Sequence, residues 1–206
     1  MQKTEKFSPN AGIAIGPILF VLAILALLAM VMASGNGDYQ VASGADRITA
    51  DIVAQANMIR STINNCNMQY MMGVSTGTYA NVSDAYPSPS GVTAVSALTC
   101  TPTGNSSLWG AILLPPATQG FQAWNYIDDS TNGGGRCIWT QPNPTSTSAS
   151  IVAGLTRAAA KFNSATSYSS SSEVLYNPGS SYQKFVVWIT LPTGTLNTHC
   201  DPATNN

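Results

Sequence analysis

The chain has 206 residues, of which 8% are charged and 44% are hydrophobic, and its formal net charge is −1. This length suits one domain with an appended segment, and the hydrophobic content, with four tryptophans, excludes a largely disordered chain. Because the basic residues are scattered singly, they cannot neutralise a row of phosphates, and we expect no nucleic-acid partner.

The first feature along the chain is an uncharged stretch between Lys6 and Asp38. Residues 1–16 form a short leader-like segment, and residues 17–33 are all apolar. About 20 apolar residues, at ~1.5 Å each, cross the hydrocarbon layer of a bilayer. The sequence therefore predicts a transmembrane helix in residues 17–37, ending in a glycine-rich break at Gly35-Asn36-Gly37.

The flanking charges predict the orientation of this helix. Lys3 and Lys6 lie before it, and the next basic residue is Arg47. Since basic residues favour the cytoplasmic side, we expect the N-terminus in the cytoplasm and the chain after Asp38 outside the membrane.

A cleaved secretory signal is the alternative interpretation of this segment, with Val31 and Ala33 as the small residues before the cut. The apolar core of such a signal runs about 7–15 residues, which is shorter than the stretch found here. The retained anchor is therefore favoured.

A second helical pattern covers residues 38–72. Its apolar residues recur at steps of three or four, which places them in one stripe along an amphipathic helix. We expect this stripe to pack on the C-terminal domain. The stripe consists of Val41, Ala45, Ile48, Ile52, Ala56, Ile59, Ile63, Cys66 and Tyr70.

Residues 73–206 are expected to form an exported, sheet-rich domain. Turn signals dominate residues 73–107, and a helix is predicted at 148–163 with a serine N-cap. Helices followed by strands predict an α+β fold with an antiparallel sheet. The strand candidates are residues 109–114, 121–127, 136–141, 174–176 and 182–191.

Four cysteines follow the apolar segment: Cys66, Cys100, Cys137 and Cys200. No pair has the C-x-x-C spacing of a zinc site, so two disulfides in an oxidising compartment are expected. Three connectivities are possible. We favour the one in which both bridges join cysteines that are neighbours along the chain, Cys66–Cys100 and Cys137–Cys200.

One acidic loop has the beginning of a calcium-binding pattern. Asp128, Ser130 and Asn132 occupy alternate positions before Gly133, and oxygen ligands in that spacing suit Ca²⁺. Trp139 stands where the closing glutamate would be, so a plain hairpin turn is the favoured interpretation of this loop. No other cofactor is expected.

The segment Gly73-Val74-Ser75-Thr76-Gly77 matches the G-x-S-x-G pattern of serine hydrolases. That chemistry needs a strand before the serine, a helix after it and a histidine within reach. Here a helix is predicted before the serine, and the single histidine, His199, lies near the end of the chain. We therefore expect a Gly/Ser turn and no enzyme.

The layout resembles type IV pilins and the pseudopilins of type II secretion systems. The resemblance lies in a basic leader that ends at Gly16, the apolar residues 17–33, the amphipathic helix and the cysteine-bearing sheet domain. It implies cleavage between Gly16 and Pro17 by a prepilin peptidase, and a filament core built from the apolar helices. It also implies a protein of the bacterial inner membrane whose bulk is periplasmic or extracellular, with a C-terminal disulfide loop that Cys137 and Cys200 could supply.

The sequence departs from that family at two positions. Pro17 stands where the family usually has Phe, Met or Leu, and Val21 stands where it usually has a glutamate. The leading hypothesis is a structural filament subunit that associates with itself or with other pilin-like subunits. The alternatives are a membrane-tethered, adhesin-like binding module and a periplasmic hydrolase that uses Ser75.

Overall fold

The computed structural model describes residues 15–74, 86–87, 89–100, 106–110, 112–143 and 148–204. The chain divides into two compact units, Met1–Val41 and Ala42–Asn206. The second unit therefore contains residues 42–72 of the predicted amphipathic helix together with the sheet domain. Each unit is described by itself below.

The long helix α1 is assigned to Ile15–Val74. The helical assignment includes Gly35, Asn36 and Gly37, where the sequence predicts a break. Glycine weakens a helix by about 1 kcal/mol relative to alanine but does not forbid the helical backbone, so three weak helix formers need not end it. Within the part of the chain that is described, no helix is both long and apolar enough to cross a membrane.

The domain is built on a six-stranded sheet with the order β1-β4-β5-β8-β7-β6. A separate two-stranded sheet pairs β2 with β3. The strands are β1 Thr93–Ala94, β2 Thr99–Cys100, β3 Ser106–Ser107, β4 Asn125–Asp129, β5 Gly135–Thr140, β6 Ser164–Ala165, β7 Val174–Tyr176 and β8 Phe185–Thr190.

The α+β class is as expected, but the large sheet is mixed and not purely antiparallel. Strand β6 pairs with β7 in parallel, while the other neighbours are antiparallel. Parallel neighbours require the chain to return to the same end of the sheet. The loop between them does this, and it is fixed by hydrogen bonds from Glu173 N to Asn163 O (2.7 Å) and from Asn163 Nδ2 to Ser171 O (2.5 Å).

One face of the sheet is covered by α1 and by the second helix, α2 Ala149–Ala159. The expected packing of the stripe on the domain is confirmed for its central part, residues 48–63, which shares a hydrophobic cluster with Phe185 and Val187 of β8, with Ile189 partly buried beside it. Val41, at the start of the predicted stripe, is 37% exposed, and the side chain of Tyr70 lies outside the described residues. Gly154 lies so close to α1 that an added Cβ would be 2.7 Å from Ile48 Cγ2. The buried members of the stripe are Ala45, Ile48, Ile52, Ala56, Ile59, Ile63 and Cys66.

The other face of the sheet carries a second, smaller hydrophobic cluster. Its buried members are Ile127, Cys137, Trp139, Leu175, Val186, Trp188 and Cys200. Burial on both faces explains why β5 is buried along its whole length and why β8 is almost continuously apolar.

For the other predicted elements, the type (helix or strand) agrees with the structure more often than the first and last residues do. Strands β5, β7 and β8 and helix α2, whose N-cap is Ser148, are confirmed. The strand predicted at 121–127 begins only at Asn125, after an isolated bridge between Phe121 and Pro142. The strand predicted at 109–114 is wrong where described: residues 108–110 form a turn, and Trp109 anchors it by donating from Nε1 to Val95 O (2.7 Å).

Candidate functional site

The most distinctive surface belongs to the first part of α1. All residues from Pro17 to Met30 are apolar, and all are exposed. Phe20 is 68% exposed, Leu27 64% and Met30 74%. A continuous apolar surface of this kind on a folded chain marks a place where lipid or protein binds.

The predicted cleavage point lies at the start of this surface. Gly16 and Pro17 are in the first residues assigned to α1. Proline is compatible with the first turn of a helix, because the N–H groups there have no partner within the helix. Residues 1–14 lie outside the described residues, and cleavage between Gly16 and Pro17 stays a prediction.

Both disulfides favoured from the sequence are present. Cys66–Cys100, with a Cα–Cα distance of 5.9 Å, joins α1 to β2. Cys137–Cys200, with a Cα–Cα distance of 6.0 Å, joins β5 to the C-terminal segment. The two bridges therefore fasten the helix and the C-terminal segment, one each, to the body of the domain.

A cleft of about 320 Å³ lies beside the Cys66–Cys100 bridge. Its described lining contains side-chain amides and hydroxyls and no charged residue. The polar lining residues are Thr62, Asn65, Gln69, Ser106 and Ser107. A cleft with this lining suits a small uncharged polar ligand.

The calcium candidate forms the turn between β4 and β5. The Asp128 carboxylate accepts hydrogen bonds from Ser130 N (3.0 Å) and Ser130 Oγ (2.6 Å) through Oδ1. Its Oδ2 lies 3.0 Å from Arg136 Nε in an ion pair whose side chains are each 6% exposed. Arg136 in turn lies 4.5 Å from the ring centroid of Tyr86. The carboxylate thus already has a cationic partner inside the protein.

The neighbouring carboxylate, Asp129, is also engaged. It accepts from Asn132 Nδ2 (2.5 Å) and from Asn197 Nδ2 (2.8 Å). Gly133 and Gly135 both have a φ of 75°, which only glycine adopts without strain, so the turn is a tight one. No group of three or more His, Cys, Asp or Glu that could hold a metal occurs in the described part of the chain, and calcium binding stays a prediction.

A buried lysine is the feature that the sequence did not reveal. Lys184 has no exposed surface, and its Nζ donates to His199 O (3.2 Å), Asp201 O (3.0 Å) and Thr204 Oγ1 (3.5 Å). The ammonium also lies 5.8 Å from the ring centroid of Trp139. Burial lowers the pKa of Lys184 to about 8, while the Asp201 carboxylate acts in the opposite direction.

A hydrolase site formed by Ser75 and His199 stays a hypothesis. His199 stacks on Trp139 with a centroid distance of 5.6 Å, and its pKa is lowered by burial and by Lys184. Gly73 and Val74 belong to α1, so a helix and not a strand leads into Ser75, which itself lies outside the described residues. All four tryptophans are core residues, between 1% and 6% exposed.

The exposed charges of α1 are mostly engaged within the protein. Asp46 pairs with Arg157 of α2 at 2.5 Å, Arg60 with Glu173 at 3.5 Å, and Arg47 with Asp51 at 3.9 Å. Exposed pairs of this kind contribute about 0–1 kcal/mol each to stability. Their effect here is to leave a surface dominated by uncharged polar groups.

The comparisons with known proteins give no match: neither a protein-family model, nor a curated protein, nor a solved structure matches the chain.

Proposed function

We propose that this chain is the membrane-anchored structural subunit of a pilin-like filament, assembled through the first part of α1. The observation that carries the proposal is the exposure of every residue from Pro17 to Met30, all of them apolar. Burying one large apolar side chain is worth about 1.5–3 kcal/mol. So long an apolar row therefore needs a lipid or protein environment.

Membrane anchoring rests on the sequence around that row. The uncharged stretch extends from Phe7 to Gly37, beyond the residues whose side chains are described, and Lys3 and Lys6 lie at its cytoplasmic end. Such a stretch has the length that a bilayer requires. The subunit would be held in the bacterial inner membrane before assembly, with its domain in the periplasm.

Self-association within the membrane is supported by the small residues of the helix. Lipid is as apolar as leucine, so transmembrane helices associate through close packing at small side chains. Ala23, Ala26 and Ala29 are exposed and spaced three apart. They supply the kind of surface that lets two helices approach closely.

The exported domain has the properties of a filament exterior. Two disulfides fasten it, and its exposed charges are largely paired with one another. Neither property depends on the exposed row of α1. The domain can therefore stay folded while that row changes its surroundings from lipid to neighbouring subunits.

The test is site-specific crosslinking of the full chain in native membranes, combined with mass spectrometry of its N-terminus. Replacing Ala23 and Ala26 with leucine should abolish most self-crosslinking, because the added bulk separates the helices. Val21→Leu is the matched control: Val21 lies roughly 200° around the helix from Ala23, and crosslinking should persist.

The N-terminal mass adds a second readout. Cleavage after Gly16 with self-crosslinking supports the filament subunit, whereas an intact leader and a chain that never crosslinks to itself would contradict it.

A tethered binding module is the second candidate, and the cleft beside Cys66–Cys100 favours it. The cleft combines amide and hydroxyl groups with the apolar side chains of Leu108, Trp109 and Ile112, a mixture that suits a small polar ligand with apolar faces, such as a sugar. Binding of sugars to the wild-type chain but not to an Asn65→Leu variant would support this function.

A further inference from the structure

One side chain beside the sheet makes three hydrogen bonds to the C-terminal segment around Cys200, which is also held by the bond from Asn197 Nδ2 to Asp129 Oδ2. Lys184 donates to the carbonyl oxygens of His199 and Asp201, which are the two residues that flank Cys200. A third hydrogen bond reaches Thr204 Oγ1. All three acceptors belong to the last residues of the chain, and the lysine itself stands next to β8.

The segment also has a fold of its own. Cys200 N donates to Asn197 O (2.9 Å), His199 N donates to Asn197 Oδ1 (2.8 Å), and Thr204 Oγ1 donates to Asp201 O (3.1 Å). These bonds shape residues 197–204 into a compact turn, with its carbonyl groups directed at Lys184. None of them involves a cysteine sulfur.

Burying a charged lysine raises the free energy of the folded state unless its ammonium hydrogens have hydrogen-bond acceptors. Here the matching acceptors are present only when the C-terminal turn lies on the sheet. The docking of the turn and the hydrogen bonding of the Lys184 ammonium group are therefore coupled.

We propose that Lys184 is a positioning residue for oxidative folding: it docks the C-terminal turn on the sheet and so presents Cys200 to Cys137 before their disulfide forms. Cys137 lies opposite Trp188 in the β5–β8 pair, so once these strands have paired only the segment after β8 has to be ordered to bring Cys200 to Cys137. Cys66–Cys100 forms from other elements, α1 and β2, and is independent of the lysine.

The chemical step is ordinary thiol–disulfide exchange with a low-molecular-weight disulfide as oxidant. A thiolate of the pair attacks glutathione disulfide, which releases one glutathione thiolate and leaves a mixed disulfide. The second cysteine then attacks the protein sulfur of that mixed disulfide and releases the second glutathione. The two cysteines together lose two protons and two electrons, and the oxidant becomes two thiols.

The experiment measures the effective concentration of each cysteine pair in the full chain, held in detergent. The chain is equilibrated at pH 7 in glutathione redox buffers, and each disulfide is quantified by differential alkylation and peptide mass spectrometry. Lys184→Met should lower the effective concentration of Cys137–Cys200 about tenfold, since it removes the charge-assisted hydrogen bonds that dock the turn. Cys66–Cys100 should change by less than about twofold.

Two further variants sharpen the test. Thr204→Val removes one acceptor of Lys184 together with the bonds that the Thr204 hydroxyl donates to Thr198 O and Asp201 O, but keeps the lysine and its two carbonyl acceptors, so the loss at Cys137–Cys200 should be smaller than for Lys184→Met. Lys161→Met replaces an exposed lysine and should change neither pair. Equal losses at both disulfides in Lys184→Met would mean general destabilisation and would overturn the proposal, as would no loss at Cys137–Cys200.

Discussion

At the scale of single residues, Lys184 shows how a polar side chain can be buried without a charged partner in contact. Its ammonium group is surrounded by backbone carbonyl oxygens and the hydroxyl of Thr204. Charge-assisted hydrogen bonds are roughly twice as strong as neutral ones, and they offset part of the desolvation cost. The remaining cost appears as the lowered pKa of this lysine.

That lowered pKa predicts how stability depends on pH. Between the folded-state pKa of about 8 and the ordinary value of 10.5, the unfolded chain binds more protons at Lys184 than the folded chain does. The free energy of unfolding should therefore rise with pH across this window, by on the order of 1–3 kcal/mol. The contribution is absent below pH 8, where Lys184 is protonated in both states.

The measurement is denaturant unfolding at several pH values from 7 to 9.5, with Lys184→Met as the reference. The upper limit avoids the tyrosines: burial raises the pKa of Tyr126 and of Tyr176, which opposes stability above about pH 10. The wild type should gain stability with pH relative to the variant. Parallel pH profiles for the two proteins would contradict the prediction.

At the scale of elements, hydrophobic periodicity was the sequence feature that predicted the main helix and strands. The three- and four-residue steps from Ala45 to Cys66 predicted the buried face of α1, and the apolar run at β8 predicted a central strand. These signals are readable because each residue of a long buried stripe must be apolar. Likewise, pairing cysteines that are neighbours along the chain gave both disulfides.

The elements that the sequence did not predict are held by contacts between distant residues. Strands β1, β2, β3 and β6 have two residues each, too few for a periodic pattern. The apolar residues near Trp109 resemble a strand, but that tryptophan is buried in a turn and bonded to Val95. The hydrogen bonds of Lys184 go mainly to backbone carbonyl groups of the C-terminal turn. Every residue has such a group, so the residue types do not show which carbonyl groups accept from Lys184.

The contact between α1 and the sheet gives the prediction at this scale. Ile52 has no exposed surface and belongs to the main hydrophobic cluster. Ile52→Asp should destabilise the domain by several kcal/mol, since it buries a charge without a partner. Thermal unfolding of the full chain in detergent, followed by near-ultraviolet circular dichroism of the buried tryptophans, measures this loss.

The matched control is Ala50→Asp, two residues earlier on the exposed side of the same helix. It introduces the same charge and should cost less than about 1 kcal/mol, the difference in helix propensity between alanine and aspartate. Similar losses for the two variants would show that the stripe is not the buried face of α1.

At the scale of the whole molecule, the surfaces of the two units favour different surroundings. Residues 17–30 expose only apolar side chains, whereas the domain buries its apolar residues in two clusters and pairs most of its exposed charges. Under the proposed function, the chain would lie at a boundary between lipid and water. The proposed filament subunit meets both requirements, because its anchor moves from lipid to other anchors while the domain stays in water.

That proposal predicts one orientation in the membrane, with the domain outside and the N-terminus in the cytoplasm. Cysteine labelling in spheroplasts with a membrane-impermeant maleimide measures it. Ser181 is exposed on the domain, so Ser181→Cys should label in intact spheroplasts. Gln2→Cys should label only after the membrane is permeabilised, and only while the leader is retained.

The flanking charges provide the control for this orientation. Replacing Lys3 and Lys6 with glutamine while changing Asp38 and Gln40 to lysine reverses the charge difference across the apolar stretch. A substantial fraction of this variant should insert with the domain inside, because basic residues near the end of a span resist translocation. Labelling of Ser181→Cys should then fall in intact spheroplasts and recover on permeabilisation. Unchanged labelling of the charge-reversed variant would mean that the flanking lysines do not set the topology. In the chain with its original charges, protection of Ser181→Cys would place the domain on the cytoplasmic side. That result would remove the basis of the filament proposal.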